Sequence, residues 1–150
     1  MMAAVSSIDR AIIVAEARRW IGTPYHHQAS THGAGCDCVG LVRGVWRALY
    51  DGEEPEVMPP YSSDYGLTDG SEPLLALACR HMVEITPTDA REGDVVVMRM
   101  KRHWPAKHAG ILAAPDRMVH AIERAGVSEI SLNDWWKERI VSAFSFPGVA

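Results

Sequence analysis

Residues 33–46 read GAGCDCVGLVRGVW. Cys36 and Cys38 flank Asp37, and from Cys38 onward the pattern is helical. Val42, Val45, Trp46 and Leu49 recur at i, i+3, i+4 and i+7, which gives a helix with one apolar stripe. Asp37 is a good N-cap, because its carboxylate accepts from the unpaired N–H groups of a first turn. The helix is predicted over Cys38 to Tyr50, with Asp51-Gly52 ending it. Cys38 then lies in the first turn, where the helix dipole favours negative charge. The thiolate is the reactive form of cysteine, and a helix start can lower a thiol pKa from about 8.5 into the range of roughly 3.5–7.5. Cys36 sits outside the cap in a glycine-flanked loop and receives less of this field. The pattern therefore predicts Cys38 as a nucleophile and Cys36 as a bystander whose role stays open. Two other readings stand beside it. Both cysteines fit as small buried apolar groups. A metal held with His26, His27 or His32 is the other, but zinc pairs usually leave about two to four residues between cysteines, and here there is one. We expect no metal and no cofactor.

Upstream, a first helix is expected after Ser7 as N-cap, with Ile8, Ile12 and Ala15 on one face and Gly22 and Pro24 stopping it. Downstream, DGEEPEVMPPYSSDYG (51–66) is rich in Pro, Gly and acids and reads as a surface excursion. Whether residues 51–70 cover a cleft is not legible. Ser71 is a candidate cap for a third helix, Pro73 to His81. The period then changes. DVVVMRM, HAGILA, RMVHAIE and RIVSAFSF are short apolar runs between turn residues, and SLNDWWKE fits one or two helical turns. Gly93-Asp94 marks a turn into a strand. Helices first and antiparallel strands later predict an α+β fold, as a single domain over 1–150.

A cysteine nucleophile needs an imidazole, which can lie far away in sequence. Of the seven histidines, His108 and His120 lie on successive strand-like runs joined by APD. A three-residue loop pairs Ala113 with Arg117 and makes His120 the diagonal neighbour of His108 on one sheet face. An even-numbered loop would send the two rings to opposite faces. In the favoured register His108 takes the Cys38 proton, and His120 bonds the far ring nitrogen and fixes its aim.

The chain has 150 residues and a formal net charge of -4. That size suits one core. The charge argues against general nucleic-acid binding, which takes clustered cations. No run approaches the roughly 18 consecutive apolar residues of a membrane span. The start MMAAVSSIDR lacks a basic segment followed by an apolar block, so synthesis in the cytoplasm without a signal peptide is expected. Three cysteines, two of them too close for easy bridging, predict free thiols.

DCVGL with Cys38, HAGI with His108 and VHA with His120, in that order, resemble the NlpC-type cysteine peptidases of bacterial cell walls. The resemblance implies a compact papain-like fold, with helices packed on a mostly antiparallel C-terminal sheet. It also implies cleavage of a peptidoglycan stem-peptide amide, usually the bond between D-glutamate and the diamino acid. GTPY places Tyr25 where that family has a tyrosine beside the site. GTPYHHQASTHGAGCDCVGLVRGVWRALY and DWWKERIVSAFSFP resemble the subgroup carried by phage tails and phage-derived particles. This implies tail proteins as partners and action on the wall of a target cell. Val39 departs from the Ser that many relatives have after the cysteine. An acidic wall peptide needs local cations, for which Arg43, Lys107 and Arg102 are candidates. A catalytically silent tail component of the same fold, and another thiol amidase or acyltransferase, are the alternatives.

Overall fold

The structure, a computed structural model, describes residues 7–61 and 70–150. Residues 62–66 of the acidic excursion, and with them the question of cleft coverage, lie outside the described residues. Helix α1 spans Arg10–Arg19, the small strands β1 and β2 span Ser30–Thr31 and Gly35–Cys36, and α2 spans Cys38–Leu49. After α3 (Pro73–His81) come β3 (Val83–Ile85), β4 (Val95–Met98), β5 (His108–Ala114), β6 (Arg117–Ile122) and β7 (Gly126–Ser131). A short α4 (Asp134–Lys137) precedes β8 (Ile140–Ser145). The large sheet has the order β3-β8-β4-β5-β6-β7, and its pairings are antiparallel. This is the expected α+β arrangement.

The sheet alternation divides the interior into two clusters. Val95, Val97, Ala109, Ile111, Val119 and Phe144 face the helices, where Ile13, Ala17, Leu41 and Val45 meet them. Val96, Met98, Leu112 and Met118 face the other way, under Leu132, Trp136 and Ile140. Burying one such Leu or Ile side chain is worth roughly 1.5–3 kcal/mol. The stripe of α2 goes deepest at Leu41, Gly44 and Val45. A Cβ on Gly44 would lie 2.0 Å from Trp20 Cζ2, so glycine is what lets α1 and α2 close together there.

Two caps differ from expectation. Helix α1 is capped by Asp9, whose side chain accepts from Ala11 N–H at 2.8 Å, not by Ser7. The start moves with the cap, so Ile13, Val14 and Ala17 form the buried face, while Ile12 is exposed and Ile8 pairs with Val149. Helix α3 has the expected bounds, but Glu72, not Ser71, is its N-cap residue and makes no side-chain cap bond. Its carboxylate is used by Arg99 and the Ala106 N–H instead. Strands β3 and β7 were not expected. Their polar, partly exposed residues lack the apolar run that marks β4, β5 and β6.

The β5–β6 hairpin differs in its tip and agrees below it. Ala114, not Ala113, pairs with Arg117, so the loop is the two residues Pro115 and Asp116. By itself that even loop would place the two imidazoles on opposite faces. The register shifts between Leu112 and Ala114, where Ala113 is the extra residue of a bulge. Beyond it Leu112 pairs with Met118 and Ile111 with Val119, the register expected from a three-residue loop. The bulge restores the parity that the loop removes.

Candidate active site

Helix α2 and strand β5 bring the site together end to start. Asp37 sits outside the helix with extended backbone and its Oδ1 accepts from Gly40 N–H at 2.7 Å. Its Oδ2 accepts from Gln28 N–H at 2.8 Å and from the Tyr61 hydroxyl at 2.5 Å. Asp37 is thus a cap that also ties the preceding loop and the acidic excursion to the helix start. The Tyr61 carbonyl in turn accepts from Gln28 Nε2 at 2.6 Å and lies 2.8 Å from His27 Nε2. Tyr61 carried no local signal in the sequence.

The cap places Cys38 against the first residues of β5. Its thiol donates to the Lys107 carbonyl at 3.4 Å, and the Ala109 N–H also reaches the sulfur. Lys107 and Ala109 flank His108. The imidazoles of His108 and His120 meet on one face, with His108 Nε2 2.8 Å from His120 Nδ1. His108 Nδ1 is therefore the ring nitrogen left to serve a thiol. For Nδ1 to accept a proton, Nε2–H must donate to His120 Nδ1, which leaves His120 as the Nε2–H tautomer. His120 is fully buried, and that Nε2 has no hydrogen-bond partner among the described residues. Trp136 packs on both rings, edge-on to His120 with centroids 5.1 Å apart, and 5.9 Å from His108. It shields the pair from water. Its signal was present in SLNDWWKE, but nothing local tied that helix to His120.

The electrostatics overturn the low-pKa expectation for Cys38. Burial pushes its thiol up to about 12, the charge of Asp37 adds to this, and the N–H groups of Ala109, Val39 and Cys38 itself act against it. The helix-start field is present and loses to desolvation. Burial likewise lowers His108 to about 3, helped by the neighbouring His120, and lowers His120 to about 4. Near neutral pH the thiol and both imidazoles are uncharged. Alkylation of Cys38 by iodoacetamide should therefore rise about tenfold per pH unit between pH 6 and 9, following a small thiolate fraction. A plateau reached below pH 7, measured by mass spectrometry of the labelled peptide, would show a thiolate–imidazolium pair instead.

Cys36 is buried as well. It lies in β2 opposite Ser30, with Tyr25 bridged to it on the other side. Burial raises its thiol to about 11, with Asp37 adding to this. Tyr25 lies half-buried beside this pair; burial raises its phenol, and Cys38 is the next cause. Arg43 lies on α2 and is engaged by an acid. Its guanidinium pairs with Glu54 at 2.6 Å and 3.2 Å, and Arg47 joins the same carboxylate at 3.2 Å. Cys36, Cys38 and Cys79 are free thiols. Among the described residues no cluster of His, Cys, Asp and Glu could hold a metal ion, and no helix is long and apolar enough to cross a membrane.

The sequence model of the NlpC/P60 family matches residues 22–145, a span that includes every residue of the site. A gamma-DL-glutamyl hydrolase of Bacillus subtilis (strain 168) is 28% identical over 136 residues, which are 89% of this chain and 29% of that protein. The chain thus spans under a third of that relative. The NlpC/p60 domain of the peptidoglycan hydrolase SagA superposes with a TM-score of 0.63 at 21% identity, covering 93% of this chain and all of that one. An NlpC/P60 family protein of Bacillus cereus ATCC 10987 gives 0.65 at 17% identity, covering 97% of this chain and 42% of that one. Those structural likenesses carry the fold.

Proposed function

Because the chain belongs to the NlpC/P60 family, whose members are cysteine hydrolases, we propose that it cleaves an amide in the peptidoglycan stem peptide, the bond between D-glutamate and the diamino acid. The observation that carries the reading is the sulfur of Cys38 lodged between the two peptide groups that flank His108, while His108 Nε2 is held by His120 at 2.8 Å. The glutamyl chemistry in the name of the Bacillus subtilis relative supports the choice of bond.

In this reading the Cys38 thiol turns from the Lys107 carbonyl to His108 Nδ1 and gives up its proton as the sulfur attacks the scissile carbonyl. The backbone N–H of Cys38, at the free end of α2, steadies the oxyanion; one such donor is typically worth about 2.7–4 kcal/mol of barrier. The imidazolium, steadied by His120, then protonates the leaving amine. Water attacks the thioester with His108 as base, releasing the new carboxylate and restoring the thiol. Two neutral partners that ionise only during attack suit a site whose interior disfavours charge.

Digestion of purified muropeptides by the protein should yield new fragments with a free amine on the diamino acid, read by mass spectrometry. Wall binding without fragments would favour a silent structural component. Turnover of simple esters alone would favour a different thiol acyltransferase. We further propose that the enzyme is carried by a phage or phage-like tail and acts on the wall of the target cell. The likeness of residues 22–50 and 134–147 to tail-associated sequences supports this. Purified particles without the protein, by peptide mass spectrometry, would end that second proposal.

A further inference from the structure

The stretch RMKRHWPAK (99–107) carries Arg99, Lys101, Arg102, His103 and Lys107 and no acid, in a chain of net charge -4. It is built, not merely loose and basic. Glu72 holds both of its ends: Oε1 accepts from Arg99 Nη1 at 2.6 Å, and Oε2 accepts from Ala106 N–H at 2.8 Å. This explains why Glu72 caps α3 by position without a side-chain bond. Arg99 also donates to the Trp104 carbonyl, and Trp104 N–H donates to Lys101 O at 3.0 Å. Pro105 and Ala106 are buried, while Lys101, Arg102, His103 and Trp104 face solvent. The Lys101 ammonium lies 4.1 Å from the Trp104 ring centroid and that of Lys107 lies 6.0 Å away. The loop ends at Lys107, whose carbonyl receives the Cys38 thiol.

We propose that loop 99–107 is an anion subsite that takes a free carboxylate of the stem peptide next to the scissile amide. The proposal rests on the peptidase reading. Three physical points carry it. Arg43, the cation on the nucleophile helix, already has its charge balanced by Glu54. Trp104 stands three residues before Lys107, whose carbonyl touches the sulfur, and three residues span at most about 11 Å when extended, so the loop starts out from the site itself. A loop already held at both ends by Glu72 has a smaller ordering cost on binding, and its cations attract an anion before contact. Trp104 supplies an apolar wall beside the charge.

Alkylation at pH 8 tests the field without the natural substrate. Iodoacetate and iodoacetamide transfer comparable carbon groups to sulfur and expel iodide, but one is anionic. In Lys101→Glu/Arg102→Glu the ratio of iodoacetate to iodoacetamide rates at Cys38 should fall about five- to tenfold at low salt, and the difference should shrink in 0.5 M salt, as screening requires (on the order of 4 Å). Both positions are exposed, so thermal unfolding of the variant serves as the folding check. With muropeptides, the variant should raise KM several-fold for stems with free carboxylates and not for amidated ones, with kcat little changed. An unchanged rate ratio, or an equal KM change for both stem types, overturns the subsite. If no muropeptide is cleaved by the parent protein, the peptidase reading fails and the rate ratio still judges the loop.

Discussion

Cys38→Ala is expected to abolish stem-peptide cleavage, with a loss on the order of 10³-fold or more, because on the proposed reading the thioester forms on its sulfur. His108→Ala should lose about 10²–10⁴-fold, the usual worth of general acid–base work. His120→Ala should lose less, roughly 10- to 100-fold, since it acts by holding the His108 ring, not by touching substrate. Cys36→Ser should stay within a few-fold of the parent. Cys36 lies in β2 between Ser30 of β1 and Tyr25, whereas the Cys38 sulfur lies against Lys107 O and Ala109 N–H, on either side of His108. The measurement is the initial rate of fragment release, with circular dichroism to confirm folding. Equal loss in Cys36→Ser and Cys38→Ser would remove the assignment of nucleophile.

The two buried imidazoles make folding stability depend on pH. His108 and His120 have folded pKa values below the ordinary histidine value, at about 3 and about 4. The folded protein therefore binds fewer protons than the unfolded chain once the pH falls below roughly 6.5, and stability declines from there toward the folded values. Above that range the contribution is fully present.

How much of this was visible in the chain depends on how local each cause is. The helix start was legible because the cap, the cysteine and the glycine sit within four residues, Asp37 to Gly40. The pairing of His108 with His120 was legible only in register. The expected three-residue loop is a two-residue loop plus a bulge at Ala113, which gives the same facing by a different route. Strand β7, GVSEIS, was missed because its half-exposed polar residues follow no apolar run; it is defined by pairing with β6. The direction of the Cys38 pKa was misread for a related reason. A helix-start field can be inferred from five residues, but burial is set by the whole fold, and here burial outweighs it. Glu72 shows the same limit. Its place before Pro73 is readable, while its hold on Arg99 and Ala106 is a tertiary fact.

Gly40→Ala sets two effects of opposite sign against each other. Gly40 is inside α2, where alanine is favoured over glycine by about 0.8–1 kcal/mol on intrinsic propensity. A Cβ there would lie 1.9 Å from the Ala29 carbonyl oxygen, 3.0 Å from its carbon and 3.1 Å from Asp37 Oδ1. That oxygen belongs to backbone which is itself held, by Ala29 N–H to His26 O at 3.1 Å and by Asp37 N–H to Ala29 O at 3.3 Å. The Ser30 hydroxyl further pins the segment by donating to Gly40 O at 2.6 Å. Relief of the overlap must break these bonds or shift the helix start, so the steric effect should win. The expected loss is about 3 kcal/mol or more, the upper end of what overpacking costs. Gly52→Ala is the contrast: its added Cβ meets nothing within 4 Å, and the strain comes from its φ of +84° alone, for a loss of about 1–2 kcal/mol. Urea unfolding of the two variants reads the difference directly. Since Asp37, Gly40 and Ala29 form one hydrogen-bonded unit around Cys38, Gly40→Ala should also slow iodoacetamide labelling or cleavage beyond what its folded fraction explains. A Gly40→Ala protein as stable as the parent would mean that propensity governs at this position and that the close approach of Ala29 to α2 does not set the nucleophile's place.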